Sequence, residues 1–222
     1  MHVIQGVLSD TQLSEVGTLI DAAEFVDGKL TAGSAIAGRK SNLQLKRDGP
    51  DGTKLDQLIL QALGRHPVFS SIVLPLRFSA PIISQYQPGM CYGTHVDAPF
   101  MGVGQPIRTD ISVTLFLNDP TSYEGGELSI DLPGGARQVK LPAGDAIVYS
   151  TTAPHQVLPV TNGTRLVAVT WCQSRVRDAA KREILHDLHA VCSCIAEDDP
   201  DSIEAMLLNK SYSNLLRMFA ET

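Results

Sequence analysis

No excess of positive charge, no long apolar run and no paired cysteine motif occurs in this chain of 222 residues, and each absence removes a class of function. Lysine and arginine number 18 against 24 aspartates and glutamates, a formal net charge of −6. No global positive field would therefore draw the chain to a phosphate backbone or an anionic bilayer, and neither nucleic acid nor membrane is an expected partner. The opening Met1-His2-Val3-Ile4-Gln5-Gly6-Val7 lacks a basic stretch followed by a long apolar one, and no later segment approaches a bilayer-spanning run, so the expectation is a cytoplasmic protein. The four cysteines, Cys91, Cys172, Cys192 and Cys194, show no C-x-x-C spacing, which argues against a zinc knuckle or redox pair and for reduced, partly buried thiols. Internal repeats and low-complexity segments are also missing.

What is present suits one folded unit. Hydrophobic residues make up 43% and charged residues 19%, ordinary for a globular chain, and the length holds one core with helical additions more comfortably than two domains. The pattern divides into three regions: 1–75, a helical and edge-strand support; 76–174, a β core; and 175–222, a helical end. In the first, Ser9-Asp10-Thr11-Gln12 fits a capping box ahead of an apolar stripe of Leu13, Val16, Leu19, Ile20 and Ala23. Asp27-Gly28 marks a turn, and Leu55, Leu58, Ile59 and Ala62 form a second short helix that Gly64 ends, with Pro67 just beyond. Between them, residues 31–45 carry Arg39, Lys40, Asn42 and Gln44 and read as a solvated edge strand, with a substrate-contacting segment as the alternative.

After Pro75 the period becomes extended. Eight strand-like runs lie near 76–86, 92–97, 109–118, 127–131, 137–141, 146–150, 155–160 and 165–173, separated by Gly, Pro and Asn turn chemistry. The fold class this implies is mainly β with flanking helices: a double-stranded β-helix, the cupin-like jelly roll, with two four-stranded sheets facing across a cavity. From Ser174, read as a cap, Val176, Ala180, Ile184, Leu188, Val191 and Ile195 follow a helical period up to Asp198-Asp199-Pro200. The remainder, with Ile203, Met206, Leu207, Leu215, Leu216 and Phe219, reads as one or two short amphipathic helices that need a partner surface. That surface is the barrel's outer wall, or a second subunit in a homodimer.

The stretch from Tyr86 to Asp97 ends in His95-Val96-Asp97. Residues two apart on an extended strand project the same way, so His95 and Asp97 can grip one ion. His155 opens a later strand. Two imidazoles and one carboxylate with no fourth protein ligand form the facial triad of non-haem Fe(II) oxygenases, which leaves room for an anionic bidentate co-substrate and dioxygen. Arg165 follows His155 by ten residues and shares a strand face with Val167, Val169 and Trp171. If Trp171 fills the cavity wall, Arg165 points inward, and a buried guanidinium calls for an anion, the far carboxylate of 2-oxoglutarate. His2, His66, His186 and His189 read as surface or solvated-helix residues. Tyr92, Asn42, Gln44 and Trp171 are the candidates for the substrate pocket.

His95-Val96-Asp97, His155, Arg165 and Trp171 together resemble the prolyl-hydroxylase branch of the Fe(II)/2-oxoglutarate dioxygenases. The stretches Arg108-Thr109-Asp110, Leu115-Phe116-Leu117-Asn118-Asp119-Pro120, Tyr123-Glu124-Gly125-Gly126-Glu127-Leu128, Leu141-Pro142-Ala143-Gly144-Asp145 and Gln173-Ser174-Arg175-Val176-Arg177-Asp178 resemble the bacterial PKHD-type hydroxylases, some of which are linked to iron uptake. The likeness spans roughly residues 20–190. It implies that His95, Asp97 and His155 bind iron, that Arg165 and Tyr86 hold 2-oxoglutarate, that ascorbate keeps the iron reduced, and that a small-molecule or peptide substrate is hydroxylated with release of succinate and CO2. A tyrosine that helps the arginine in some relatives is Phe116 here. Two alternatives from other classes are a non-catalytic sensor of iron and 2-oxoglutarate and a cupin-like module for a small anion. Asp97 argues against the halide-accepting variant, which needs that position vacant.

Overall fold

The computed structural model describes residues 1–31, 39–47, 50–102 and 104–221. In chain order these form β1 (His2–Ile4), α1 (Asp10–Asp21), β2 (Phe25–Asp27), β3 (Lys40–Ser41), β4 (Leu43–Leu45), α2 (Pro50–Arg65), α3 (Pro67–Val73), β5 (Pro75–Phe78), β6 (Ile82–Tyr86), β7 (Cys91–His95), β8 (Phe100–Met101), β9 (Ile107–Arg108) and β10 (Ile111–Phe116). There follow β11 (Tyr123–Gly125), β12 (Leu128–Leu132), β13 (Gly135–Val139), β14 (Ala146–Ser150), β15 (His155–Val157), β16 (Val160–Gly163), β17 (Arg165–Ser174), α4 (Ala179–Asp198) and α5 (Ile203–Phe219).

Two antiparallel sheets enclose the cavity of a jelly roll. The larger runs β1-β14-β10-β17-β6-β4-β2, with β5 also paired to β17; the smaller runs β13-β12-β15-β7-β3. Strand alternation sorts the large sheet's side chains. On β10, Ile111, Val113 and Leu115 face outward against Val16 and Ile20 of α1, Ile59 and Leu63 of α2, and Phe69 and Val73 of α3. Phe116 faces inward with Ile147, Tyr149 and Val167, against Leu128, Ile130 and Val157 of the smaller sheet. A one-residue slip would exchange these faces, so the helices and the inner core together hold the register.

Several expectations are corrected. The sheets have eight and five strands among the described residues rather than four each, because β1, β2, β3 and β4 from the first 45 residues extend them. The run at 76–86 is broken at residues 79–81 into β5 and β6, both pairing with the long β17. Residues 155–160 are not one strand: β15 ends at Val157, and β16 leaves the small sheet to pair with β11. Gly64 lies inside α2 rather than ending it, and Pro67 begins a third helix that His66 caps by accepting from the Phe69 N–H, since proline also suits the first helical position. Residues 32–38 of the polar stretch lie outside the described residues, but Lys40, Asn42 and Gln44 are buried, not solvated.

At the C-terminal end Asp178, not Ser174, caps α4. Ser174 is the last residue of β17, where its hydroxyl donates to the Val73 carbonyl. The final segment is one helix of 17 residues, and it packs on α4 rather than on the barrel wall: Tyr212, Leu215, Leu216 and Phe219 meet a small core of Leu74, Val176 and Leu185. The reason is geometric. Arg175 and Glu221 are joined backbone to backbone, and the Glu221 carboxylate accepts from Arg108, so the chain end is tied beside the strand from which α4 departs.

Candidate metal centre

The metal-ligating groups come from the smaller sheet. His95 closes β7 and His155 opens β15, and the two stand directly opposite each other in the antiparallel pairing. Cross-strand neighbours project to the same face, which brings the rings to 4.3 Å between centroids. Each ring is fixed in the same way: His95 Nδ1 donates to the Gly93 carbonyl at 2.9 Å and His155 Nδ1 to the Ala153 carbonyl at 3.0 Å. A carbonyl only accepts, so the proton belongs on Nδ1 and the Nε2 lone pairs are left for an ion. Burial and the neighbouring His155 lower the His95 pKa, favouring the neutral ring that a metal needs. Asp97 lies past the end of β7, a correction to its placement on the same strand, yet its Oδ1 is 3.7 Å from His155 Nε2. One ligand atom from each of His95, Asp97 and His155 lies within 4.8 Å of the other two. Asp97 Oδ2 is buried without a hydrogen-bond partner among the described residues. A buried carboxylate oxygen in that condition fits a cation.

Aromatic side chains hold the imidazoles. Tyr92 stacks on His95 at 3.8 Å, and Tyr149 meets His155 edge-on at 5.0 Å. Burial, with the Tyr86 and Asp97 charges, pushes the Tyr92 phenol up to about 12, and burial raises Tyr149 as well, so both stay neutral.

Arg165 enters the cavity from the opposite wall. It begins β17, paired with Tyr86 of β6, and is only 1% exposed. The guanidinium lies 5.1 Å from the Tyr86 ring centre and 5.6 Å from that of Phe116. Burial lowers its pKa, while the Tyr86, Tyr123 and Tyr149 phenols favour the cation. Tyr123 is close enough to act on it, but no hydrogen bond of ordinary geometry forms, and both Arg165 Nε and Nη1 are left without a partner among the described residues. Orphaned N–H groups on a buried cation fit an anion such as a carboxylate.

These groups share one cavity of about 210 Å³. The sequence candidates Tyr86, Tyr92, Asn42, Gln44 and Trp171 all line it, as do His95, Asp97, His155 and Arg165. Tyr86 and Tyr92 reach it from separate strands, since Pro88-Gly89 interrupts the run between them. Asn42 lies near the Tyr86 hydroxyl and favours its ionised form, although neither amide atom makes a hydrogen bond of ordinary geometry. Met101, on the β8–β9 hairpin, closes one side. Sequence reasoning missed Lys40, which read as part of a solvated edge, and Tyr123, which read only as turn chemistry; the one usable signal was the alternation of Lys40, Asn42 and Gln44. The histidines read as peripheral stay away from the site: His66 caps α3, and His186 bonds the Ser71 hydroxyl while His189 faces Tyr212, so the last two do not share an ion.

Residues 81–173 match the family model described as the 2OG-Fe(II) oxygenase superfamily. Over 225 residues the chain is 42% identical to a PKHD-type hydroxylase of Methylobacterium nodulans, with 98% of each chain covered. It is likewise 42% identical over 219 residues to one from Thermosynechococcus vestitus, again with 98% of each covered. Among solved structures, a prolyl-4-hydroxylase of Pseudomonas putida aligns with a TM-score of 0.52 at 22% identity, covering 78% of this chain and 92% of that one. A viral collagen prolyl hydroxylase from Paramecium Bursaria Chlorella virus-1, solved as its 2OG complex, gives 0.52 at 20% identity over 78% and 95%. These two likenesses are of fold.

Proposed function

The chain belongs to the PKHD-type hydroxylases of the 2OG-Fe(II) oxygenase superfamily, and from that membership we propose that His95, Asp97 and His155 hold the iron and that Arg165 holds the far carboxylate of 2-oxoglutarate. The enzyme is an iron- and 2-oxoglutarate-dependent hydroxylase. When bound, the metal and co-substrate supply the oxidising chemistry, spending one 2-oxoglutarate and one dioxygen to give succinate, CO2 and a hydroxylated carbon.

The protein's own residues position and shield. Gly93 and Ala153 carbonyls orient the imidazoles so that both Nε2 atoms face inward. Asp97 adds the negative charge that favours a divalent ion over a water cluster. Arg165, with the Tyr86 phenol beside it, selects a co-substrate by its distal carboxylate. Tyr92, Tyr149 and Val157 surround the ligands with apolar surface, which keeps bulk water from the reacting carbon. The observation that carries the assignment is the pair of unpartnered N–H groups on the buried Arg165, across one cavity from three converging ligand atoms. The family acts on small molecules or peptides. The four unpaired cysteines support a reducing, cytoplasmic setting, and the net charge of −6 speaks against nucleic acid. No helix among the described residues is long and apolar enough to cross a membrane. Exposed Ile184 and Val191 on α4 and Ile203, Met206 and Leu207 on α5 support a homodimer through these helices, to be read by sedimentation.

The test is an anaerobic titration with Fe(II) and 2-oxoglutarate, followed by visible absorbance. Wild type should develop a weak charge-transfer band. His155→Ala should show none, and Arg165→Ala should need about a hundredfold more 2-oxoglutarate, the loss of two charge-assisted hydrogen bonds at about 1.5 kcal/mol each. In the aerobic assay, added ascorbate should sustain succinate release. A wild type that folds and gives no band would overturn the assignment.

A further inference from the structure

We propose that Tyr123 is a positioning residue for the co-substrate: in the loaded protein its phenol oxygen accepts a hydrogen bond from the Arg165 guanidinium and so keeps that guanidinium aimed at the far carboxylate of 2-oxoglutarate. The inference rests on the assignment of Arg165 above and adds a residue that acts through it from outside the cavity.

The first support is where the two side chains meet. Arg165 opens β17 of the large sheet, whereas Tyr123 opens β11, which pairs with β16 in a separate ribbon. Gly126, just past β11, brings them together. A Cβ placed there would come 3.1 Å from Arg165 Cδ and 3.4 Å from Tyr123 Cε2, so those two carbons are no farther apart than the sum of these distances. Cδ carries Nε, and Cε2 is one bond from the carbon that bears the hydroxyl. The two groups also act on each other's charge. Burial raises the Tyr123 phenol, so it stays neutral, while the guanidinium works to lower it. Burial lowers the Arg165 pKa, and Tyr123 is one of the phenols that oppose this.

The second support is the hydrogen-bond account. The Tyr123 hydroxyl, Arg165 Nε and Arg165 Nη1 are all buried, and none has a partner of ordinary geometry among the described residues. A carboxylate fork takes only part of a guanidinium's N–H groups, and those left within the wall need an oxygen of the protein. Phe116, 5.6 Å from the guanidinium, offers a ring face and no oxygen. A neutral phenol beside the same guanidinium offers one. Contacts of this kind are often long or poorly aligned in an empty site and tighten when it is loaded.

The third support is that Tyr123 is held in place. Its carbonyl accepts from Lys140 Nζ at 2.6 Å, and the same ammonium lies 4.0 Å from the ring centre. On the other strand of the ribbon it stands opposite Gly163, where a Cβ would come 2.8 Å from Tyr123 Cα, so only a glycine lets the two backbones approach this closely. Tyr123 is buried and is not one of the residues lining the cavity, which makes it a support for Arg165 rather than a contact of the co-substrate. A long, flexible arginine steadied by a fixed neighbour loses less freedom when the carboxylate binds.

The test is a double-mutant cycle. Anaerobic Fe(II)-loaded wild type, Tyr123→Phe, Arg165→Met and the double variant would be titrated with 2-oxoglutarate while the visible band is followed, with circular dichroism to establish folding. Tyr123→Phe keeps the ring under Lys140 and removes one oxygen. It should need about tenfold more 2-oxoglutarate than wild type, the contribution of one hydrogen bond to a charged group, with Fe(II) affinity unchanged. In the Arg165→Met background the same substitution should change nothing, since the hydroxyl then has no guanidinium to act through. A second readout uses wild type with diamagnetic Zn(II) in place of Fe(II). When 2-oxoglutarate is bound, the Arg165 Nε–H proton, identified by its absence from Arg165→Met, should show NMR cross-relaxation with the Tyr123 ring protons; this decides the matter if Tyr123→Phe does not fold. A 2-oxoglutarate titration unchanged in Tyr123→Phe, an equal weakening with and without Arg165, a matching loss of Fe(II) affinity, or a loaded wild type without that cross-relaxation would overturn the proposal. No band in wild type, or an Arg165→Met that binds 2-oxoglutarate as tightly as wild type, would instead overturn the assignment of Arg165 on which it rests.

Discussion

Replacing Arg165 by methionine should make the protein without co-substrate more stable, and the loaded protein less so. The guanidinium is 1% exposed, and its Nε and Nη1 have no partner among the described residues. Each buried donor left unsatisfied costs about 1–3 kcal/mol, and more on a charged group. Against this stand the contacts with the Tyr86 and Phe116 rings at 5.1 and 5.6 Å, together about 1–2 kcal/mol. The cost exceeds the gain. A methionine of similar length removes both, so the net change is a stabilisation of roughly 1–3 kcal/mol, within the range seen when buried ionic groups give way to apolar ones. For a chain of this size that is an increase of about 2–4 °C in Tm per kcal/mol. With 2-oxoglutarate at a hundred times the wild-type Kd, wild type gains about 2.7 kcal/mol and a variant that binds a hundredfold more weakly about 0.4, so the variant's advantage shrinks by about 2.3 kcal/mol and is cancelled or reversed over most of that range. Calorimetry of both, anaerobically with Fe(II), with and without 2-oxoglutarate, reads all four values. A co-substrate-free Arg165→Met less stable than wild type, or an equal gain from 2-oxoglutarate in both, would refute the reasoning that the arginine is held in wait for an anion.

Three further outcomes are expected of the same fold. Gly126 has φ +68°, and a Cβ there would come 2.8 Å from Val160 Cγ2 and 3.1 Å from Arg165 Cδ, so Gly126→Ala should cost about 2 kcal/mol and also weaken 2-oxoglutarate binding, both measurable in one thermal-shift titration. Lys40 is depressed by burial from 10.5 to about 8, so between those values the unfolded chain binds the proton and the folded protein does not; stability relative to Lys40→Met should therefore rise as pH increases from about 8 to 10.5, as urea midpoints would show. Asp110 accepts from Arg108 Nε at 2.7 Å, from its Nη2 at 3.0 Å and from the Ser174 N–H at 2.9 Å, so Asp110→Ala should lower stability by about 2–3 kcal/mol in urea unfolding and loosen the β9 edge of the cavity mouth.

Much of this protein was legible in local pattern. The capping box at Ser9 forms as its residues require, with Ser9 accepting from the Gln12 N–H and Gln12 reaching back to the Ser9 N–H. The parity of β17, which put Arg165 on the face of Val169 and Trp171, followed from a two-residue period alone, as did the two faces of β10. Local rules failed where a residue's meaning depends on a distant partner. Pro67 reads equally as a helix terminator or as a first helical residue, and only the position of His66 over Phe69 decides between them. The apolar stripe of α5 announced a partner without naming it; α4 became that partner because Glu221 is tied to Arg108 and Arg175.

The chain's own order of residues determined the chemistry available: two histidines, an aspartate and an inward arginine on extended segments, because strand alternation is a property of the backbone and needs no partner. Tertiary structure decided which of these groups meet. His95 and His155 are sixty residues apart, and only the pairing of β7 with β15 sets their rings face to face. Lys40 looked like a solvated edge because an exposed strand and a strand roofing a polar cavity carry the same alternation. What separates them is the sheet on the other side, and that surface is made by β6, β10, β14 and β17, whose cavity-lining residues lie from about forty to more than a hundred positions away.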